Sequence, residues 1–133
     1  MSGRPELRRL RRIEFADTDA SGRAHFTALL RHAEAVEHEL LEQLGLPLLG
    51  GGGWPRARLE CDFRAPLAAG DPLEVCVAVE AVGRSSVTWR FQLGRPGGPV
   101  AADGRVIAVR TGRDGRARAL PAAWRRRLGA AAS

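Results

Sequence analysis

The sequence contains no lysine and no tyrosine, so all 21 of its basic residues are arginine. Set against 15 acidic residues, they give a formal net charge of +6, which favours anionic partners such as phosphorylated cofactors, nucleic acid or an acidic carrier protein. A GC-rich genome would by itself account for the missing lysine. The arginines are spread along the chain with no stacking aromatic residues between them, so we do not expect a nucleic-acid binder.

Cysteine and long apolar runs are also scarce. The two cysteines, Cys61 and Cys76, are too few for a disulfide framework. No apolar run approaches the ~18 residues needed to span a membrane, and the arginine-rich N-terminus does not resemble a signal peptide. The sequence therefore predicts a cytoplasmic protein without a membrane span. Its 133 residues predict a single domain over 1–133, with residues 1–6 and 122–133 as peripheral tails.

One long helix is predicted over residues 26–44. Its apolar positions recur at steps of three and four, namely Phe26, Leu29, Leu30, Ala33, Val36, Leu40, Leu41 and Leu44. Gly45 supplies a left-handed cap and Pro47 prevents continuation. A first strand over residues 7–15 and a structured loop over residues 16–25 precede the helix.

From residue 56 onward the apolar pattern changes to a period of two. It predicts four strands in a meander, paired antiparallel because few connections are long enough for crossover helices. The first of them is predicted to bury Ala57, Leu59, Cys61, Phe63 and Ala65. The next two are predicted to have apolar faces formed by Leu73, Val75, Val77, Val79 and Ala81 and by Val87, Trp89, Phe91 and Leu93. The last is predicted to run over residues 100–111. Glycines 50–53 predict a mobile linker. The expected fold is therefore α+β, with about five strands wrapped around one central helix.

Asp17 and Asp19 lie in the loop before the helix. Both could simply accept hydrogen bonds from local backbone amides. Asp19 is the stronger candidate for chemistry, because Gly22 lets the chain fold back from it towards the helix start at Phe26. The unpaired amides of that first turn carry partial positive charge and can hold a substrate oxygen.

The helix and its N-terminus also carry polar candidates. Glu34 and His38 share a helix face, but His32 is expected to face elsewhere, so we predict neither a metal nor a cofactor. His25 could bind a substrate carbonyl or tune the catalytic aspartate, or it could be a satisfied loop histidine. Glu34 or Glu37 could act as a second carboxylate, or could lie on a solvated face or a subunit interface.

These features resemble a known family. Residues 13–22, IEFADTDASG, are similar to the opening motif of the 4-hydroxybenzoyl-CoA thioesterase family of hotdog-fold proteins. Residues 25–47 resemble that family's central helix, and residues 60–67 and 83–87 resemble its second and fourth strands. The resemblance extends over about residues 7 to 121.

The resemblance implies hydrolysis of acyl-CoA or acyl-carrier-protein thioesters. It assigns the catalytic carboxylate to Asp19 and the oxyanion amide to Phe26 or its neighbour. It also implies that basic residues of the later strands meet the CoA phosphates, often across a dimer interface, which points to Arg84, Ser85 and Arg118.

The sequence departs from the family in one place. The family commonly has an aromatic residue followed by His or Tyr before the helix, whereas here the order is His25-Phe26. The absence of tyrosine also removes one usual means of recognising a phenolic acyl group.

The combined prediction is an acyl-CoA thioesterase that uses Asp19 as nucleophile or general base. Two alternatives stay open: a thioesterase that releases a product from a polyketide carrier protein, and a non-catalytic hotdog protein that binds acyl-CoA. A five-stranded sheet wrapped on one helix leaves open edges, which predicts a homodimer or homotetramer.

Overall fold

A computed structural model describes residues 4–49 and 51–130. The described chain forms, in order, β1 (Glu6–Arg12), a 3-10 turn (Phe15–Asp17), α1 (Phe26–Gln43), β2 (Gly52–Gly53), β3 (Arg56–Phe63), β4 (Pro72–Val82), β5 (Ser86–Gly94), β6 (Val100–Val109), β7 (Thr111–Gly112) and α2 (Ala122–Arg127). Five strands form an antiparallel sheet in the order β1-β4-β5-β6-β3, and β2 pairs with β7. One long helix packed on one antiparallel sheet confirms the predicted α+β architecture.

Helix α1 begins and ends close to the predicted positions. His25 is its N-cap, with extended backbone, and its side chain accepts a hydrogen bond from the Thr27 N–H. At the other end Leu44 is the C-cap, and Gly45 adopts the left-handed conformation with φ +72°. The cap residues therefore set where α1 begins and ends, and place its first turn directly after the loop.

The core lies between α1 and the central strands. The alternating residues of β4 and β5 predicted to be buried are at most 3% exposed, namely Leu73, Val75, Val77, Val79, Val87, Trp89, Phe91 and Leu93. Val36, Leu40 and Leu41 of α1 are buried in the same core. Ala81 was expected on this face but is exposed, because a register shift between Val79 and Ala81 interrupts the alternation.

Strand β3 differs from the prediction in position and in burial. Within the described chain it pairs with β6 alone, so it forms an edge of the sheet, and the connection from Phe63 to Pro72 crosses to a central strand. The predicted four-strand meander is therefore wrong for β3. Its predicted buried face is wrong as well, since Leu59 and Phe63 are 49% and 48% exposed. A helix about 10 Å wide covers only two or three strands spaced about 4.8 Å apart, and α1 packs on β1, β4 and β5.

The first strand ends at Arg12, three residues before its predicted end. Ile13 donates its N–H to Asp71 O, and the chain then turns away from the sheet. Glu14 caps the 3-10 turn through a reciprocal pair of side-chain bonds with Asp17. The capping box therefore ends the strand and starts the loop.

The glycine segment is also more ordered than predicted. Gly52 and Gly53 pair with β7, and a Cβ at Gly52 would lie 1.9 Å from Thr111 O, so only glycine fits there. Gly50 lies outside the described residues. The last long strand ends at Val109, because the chain leaves β6 to form this small second sheet.

The segment expected to be a C-terminal tail packs against the body of the protein. Leu128, directly after α2, is fully buried, and the Trp124 ring lies 6.1 Å from the Trp54 ring. The Arg110 guanidinium lies 4.4 Å from the Trp124 ring centroid, which adds a cation–π contact. Of the helices described here, none combines the length and the apolar character required to cross a membrane.

Candidate active site

The loop before α1 folds into a small hairpin with Asp19 near its tip. Thr18 and Ala24 face each other in an antiparallel bridge, and the Asp19 N–H donates to Arg23 O at 3.0 Å. Gly22 closes the turn with φ +78°, and its N–H donates to Asp19 O at 2.9 Å. The expected role of Gly22 in turning the chain back towards the helix is therefore confirmed.

The Asp19 carboxylate is exposed and held from one side. Its Oδ1 accepts hydrogen bonds from Ser21 N at 2.8 Å and Ser21 Oγ at 2.5 Å. The hydrogen bonds from the Ser21 hydroxyl and the Ser21 N–H lower the pKa of Asp19 below its ordinary range; desolvation opposes them, and the nearby His25 ring adds to them. Asp19 is therefore ionised at neutral pH, and its Oδ2 has no hydrogen-bond partner from another residue in the described ranges.

The first turn of α1 offers a free backbone donor. The Thr27 N–H is capped by His25 Nδ1 at 3.3 Å, and the Ala28 N–H donates to His25 O at 2.9 Å. No acceptor for the Phe26 N–H is found in residues 4–49 or 51–130. An unpaired amide at the positive end of an 18-residue helix is suited to hold an oxygen that develops negative charge.

His25 joins the loop to the helix. Its backbone N–H donates to Asp17 O at 2.8 Å, while its ring accepts from the Thr27 amide and lies 4.6 Å from the Phe26 ring. The ring is exposed beside the helix start. His25 therefore has a capping role, and its exposed ring borders the space next to Asp19.

Asp17 and His32 form a contact that the sequence analysis missed. His32 was expected to face away from the site, but it is only 6% exposed, and its Nε2 lies 2.9 Å from Asp17 Oδ2. The same Asp17 oxygen accepts the Glu14 N–H at 2.8 Å, as expected for a loop aspartate. Burial raises the pKa of Asp17, but the bonds from Glu14 and His32 and the nearby Arg31 outweigh it, so the pKa lies below its ordinary range.

Apolar side chains of α1 and β3 lie side by side near the helix start. The Phe26 and Phe63 rings meet edge to face at 6.0 Å. Leu30 and Leu59 line a cavity of about 160 Å³ whose apolar lining also includes Ala33, Trp89, Phe91 and Val106. We call the apolar surface formed by Phe26, Leu30, Leu59 and Phe63 the α1–β3 groove.

An ion pair lines the cavity beside this apolar wall. Arg56 donates to both Glu37 carboxylate oxygens, at 2.8 and 2.9 Å, and to Glu34 Oε2 at 3.0 Å. Glu37 is only 2% exposed, and this burial raises its pKa above the ordinary range. The Arg56 guanidinium lowers the same pKa but does not outweigh burial. Glu34 is the solvent-side partner, with a side chain 50% exposed. This pair ties α1 to the edge strand β3.

Arg84, Ser85 and Arg118 meet at the opposite end of the sheet. Leu120 N donates to Arg84 O and Arg110 N donates to Ser85 O, each at 2.8 Å, while the Arg118 N–H donates to Arg110 O. The Arg118 guanidinium pairs with Asp114 at 3.0 Å. The Asp19 loop joins the sheet at the start of β4, so the 11 residues of β4, roughly 33 Å of strand, separate the two groups within one chain.

The comparison with known sequences decides the family. Residues 21–110 match the thioesterase superfamily. The chain belongs to this superfamily. A 1,4-dihydroxy-2-naphthoyl-CoA hydrolase of Synechococcus sp. (strain CC9605) is 34% identical over 105 residues, which are 70% of this chain and 69% of the relative. The resemblance inferred from the sequence motifs is thereby confirmed.

Solved thioesterase structures share the fold. A 1,4-dihydroxy-2-naphthoyl-CoA thioesterase from Synechocystis superposes with a TM-score of 0.85 at 20% identity, over 94% of this chain and 96% of that chain. A 4-hydroxybenzoyl-CoA thioesterase variant complexed with 4-hydroxybenzoyl-CoA gives a TM-score of 0.83 at 23% identity, over 92% and 98% of the two chains. The sheet and helix of this thioesterase domain therefore form a hotdog fold.

Sequence reasoning did not predict that two polar residues of this thioesterase are buried, and the two share one signal. His32 and Glu37 fall at steps of three and four from Leu29, Ala33, Val36 and Leu40, so they lie on the buried face of α1. A polar residue within an apolar helical stripe was therefore the available sign of a buried partner. Among the described residues, no cluster of three or more His, Cys, Asp or Glu side chains could hold a metal ion.

Proposed function

We propose that this protein hydrolyses the thioester of an acyl-CoA, with Asp19 as nucleophile or general base and the Phe26 N–H as oxyanion donor. The observation that carries the proposal is that an ionised, exposed Asp19 lies in a loop bonded to the start of α1, where the Phe26 N–H has no acceptor among the described residues. Membership of the thioesterase superfamily supports it. His25, next to both groups, is positioned to border the reacting carbonyl.

Both routes for Asp19 use the same geometry. As nucleophile, its free oxygen attacks the thioester carbon, the CoA thiolate leaves, and water hydrolyses the resulting anhydride. As general base, it takes a proton from the water that attacks that carbon. In either case negative charge develops on the carbonyl oxygen, and the Phe26 N–H stabilises it; one such donor is worth about 10²–10³ in kcat.

The preferred acyl group is aromatic. The cavity at the α1–β3 groove measures about 160 Å³, and two of its lining residues are Trp89 and Phe91. An engineered apolar cavity of about 150 Å³ accommodates benzene, so this one suits a ring of similar size. The curated relative from Synechococcus is named for a dihydroxynaphthoyl thioester, which agrees with an aromatic substrate. Glu34 lines the cavity and is the candidate for a supporting carboxylate.

The active form is a homodimer or a larger homo-oligomer built on it. Among residues 4–49 and 51–130, the outer edge of β3 has no strand partner, and the exposed Leu59, Phe63 and Phe26 lie beside it. Antiparallel pairing of two β3 edges about a two-fold axis would set the Arg84 end of one copy beside the Asp19 end of the other. Such a dimer would supply Arg84, Ser85 and Arg118 as contacts for the CoA phosphates. Within one chain, roughly 33 Å of strand separates these three residues from the Asp19 loop.

A turnover screen tests the proposed function. Benzoyl-, 4-hydroxybenzoyl- and naphthoyl-CoA would be compared with short and long aliphatic acyl-CoAs, and with the same aromatic acyl groups on pantetheine and on a carrier protein. We expect the highest kcat/KM with aromatic acyl-CoAs. Faster turnover of the carrier-bound esters would favour a carrier-protein thioesterase, and tight binding of acyl-CoA without release of CoA would show a binding protein instead.

A further inference from the structure

His32 is a buried polar residue that the proposed chemistry does not use. It lies on α1 two turns after the N-cap, with 6% exposure, and contacts both the loop and the sheet. Arg11 of β1 donates its Nε–H to His32 Nδ1 at 2.6 Å, while His32 Nε2 lies 2.9 Å from Asp17 Oδ2. The imidazole thus bridges an arginine and an aspartate that lie 6 residues apart on either side of the turn into the loop.

The partners determine which nitrogen of His32 carries the proton. An arginine side chain is always a donor, so His32 Nδ1 must accept from Arg11. The neutral ring then carries its hydrogen on Nε2 and donates it to the Asp17 carboxylate. His32 therefore accepts a hydrogen bond from Arg11 and donates one to Asp17.

Asp17 is the residue at which the loop and the helix are joined. Its Oδ2 accepts from both Glu14 N and His32, and its backbone carbonyl accepts the His25 N–H at 2.8 Å. The start of the loop, the end of the loop and the second turn of α1 are therefore all bonded to Asp17. Asp19, two residues later, bonds through its side chain to Ser21 and, among the described residues, to no other residue. Its hairpin is also held by the Ala24 N–H, which donates to Leu67 O at 2.7 Å, so the position of Asp19 relative to the helix start depends in part on the Asp17 junction.

We propose that His32, acting through Asp17, is a positioning residue that holds the Asp19 loop in register with the Phe26 amide. The inference rests on the proposed roles of Asp19 and Phe26. A nucleophile displaced by about 1 Å can lose about 10²-fold in rate, so a buried bond away from the reacting atoms can control turnover.

Two substitutions of nearly equal size separate the two bonds of His32. Gln can place an N–H₂ near the present Nε2 and keep the donor to Asp17, whereas Asn can place an oxygen near Nδ1 and keep only the acceptor for Arg11. We expect His32→Gln to stay within about 3-fold of wild type in kcat, and His32→Asn to lose about 10-fold or more with KM nearly unchanged. Equal kcat in the two variants would overturn the proposal.

A second pair of variants changes Asp17, the acceptor in the hydrogen bond from His32. Asp17→Asn keeps an oxygen for both donors, and Asp17→Ala removes it, so only the alanine variant should lower kcat at unchanged KM. This pair decides the matter if His32→Asn does not fold. In the wild-type protein, NMR of the imidazole nitrogens should show the proton on Nε2; a ring protonated on Nδ1 would contradict the bond from Arg11.

Amide hydrogen exchange separates this proposal from the proposed function. Residues 14–25 should exchange faster in His32→Asn than in His32→Gln, whether or not any acyl-CoA is hydrolysed. If residues 14–25 exchange faster in His32→Asn but the wild type hydrolyses no acyl-CoA, the proposed function is rejected and the positioning role of His32 stands. If turnover depends on Asp19 but His32→Asn changes neither the exchange rate nor kcat, the thioesterase function stands and the positioning role of His32 is rejected.

Discussion

Replacing Asp19 by asparagine removes the charge at the proposed catalytic group while keeping its shape. The wild-type Oδ1 accepts both Ser21 donors, at 2.8 and 2.5 Å, and the amide oxygen of asparagine can accept the same two bonds. The side chain is exposed. The hairpin and the melting temperature should therefore stay close to wild type.

Catalysis should fall steeply in the same variant. An amide is neither a nucleophile nor a base at neutral pH, so kcat should drop by about 10²–10⁴-fold, the scale of a lost general base. KM should change little, because the groove, the cavity and the helix-start amide are untouched. The pKa of Asp19 lies below its ordinary range, so the wild-type rate should show no loss from this group between about pH 8 and pH 5.

The assay would follow release of the CoA thiol at saturating aromatic acyl-CoA, with calorimetry for binding and circular dichroism for folding. Asp17→Asn is the matched control, since it removes a neighbouring charge from the same loop but keeps the acceptor for Glu14 and His32. A folded Asp19→Asn protein with near-full turnover would refute the mechanism. The search for the catalytic group would then move to Glu34 and His25, the other polar candidates beside the groove.

The remaining predictions concern the ion pair, the phosphate contacts and the dimer. Arg56→Met should destabilise the fold by about 3 kcal/mol, because it leaves the buried Glu37 carboxylate unpaired, and adding Glu37→Leu should restore most of the loss in thermal denaturation; an unchanged melting temperature in the single variant would contradict this. Arg84→Ala should raise KM for acyl-CoA several-fold and leave kinetics on pantetheine thioesters unchanged, whereas equal losses on both substrates would indicate a structural role. The wild type should be at least a dimer by light scattering at micromolar concentration, and Phe63→Glu should yield an inactive monomer; a monomeric wild type would reject the interface.

The sequence by itself determined the local structure and the central candidate for catalysis. The apolar spacing of α1 and the alternation in β4 and β5 predicted their buried faces, because 3.6- and 2-residue periods are properties of the backbone. Gly22 and Gly45 marked turns that require positive φ, and both adopt it. Asp19 was singled out by its place between a strand and a helix start, and the structure puts it in the hairpin that this place implies.

Only the tertiary structure decided which residues are partners across the fold. Strand order placed β3 at an edge, so side chains that alternate like core residues are half exposed. The pairing of His32 with Asp17 spans 15 residues, and that of Arg56 with Glu37 spans 19. Periodicity shows that a residue faces inward, but it does not show what it meets there. That depends on how separate segments pack, which no short stretch of sequence encodes.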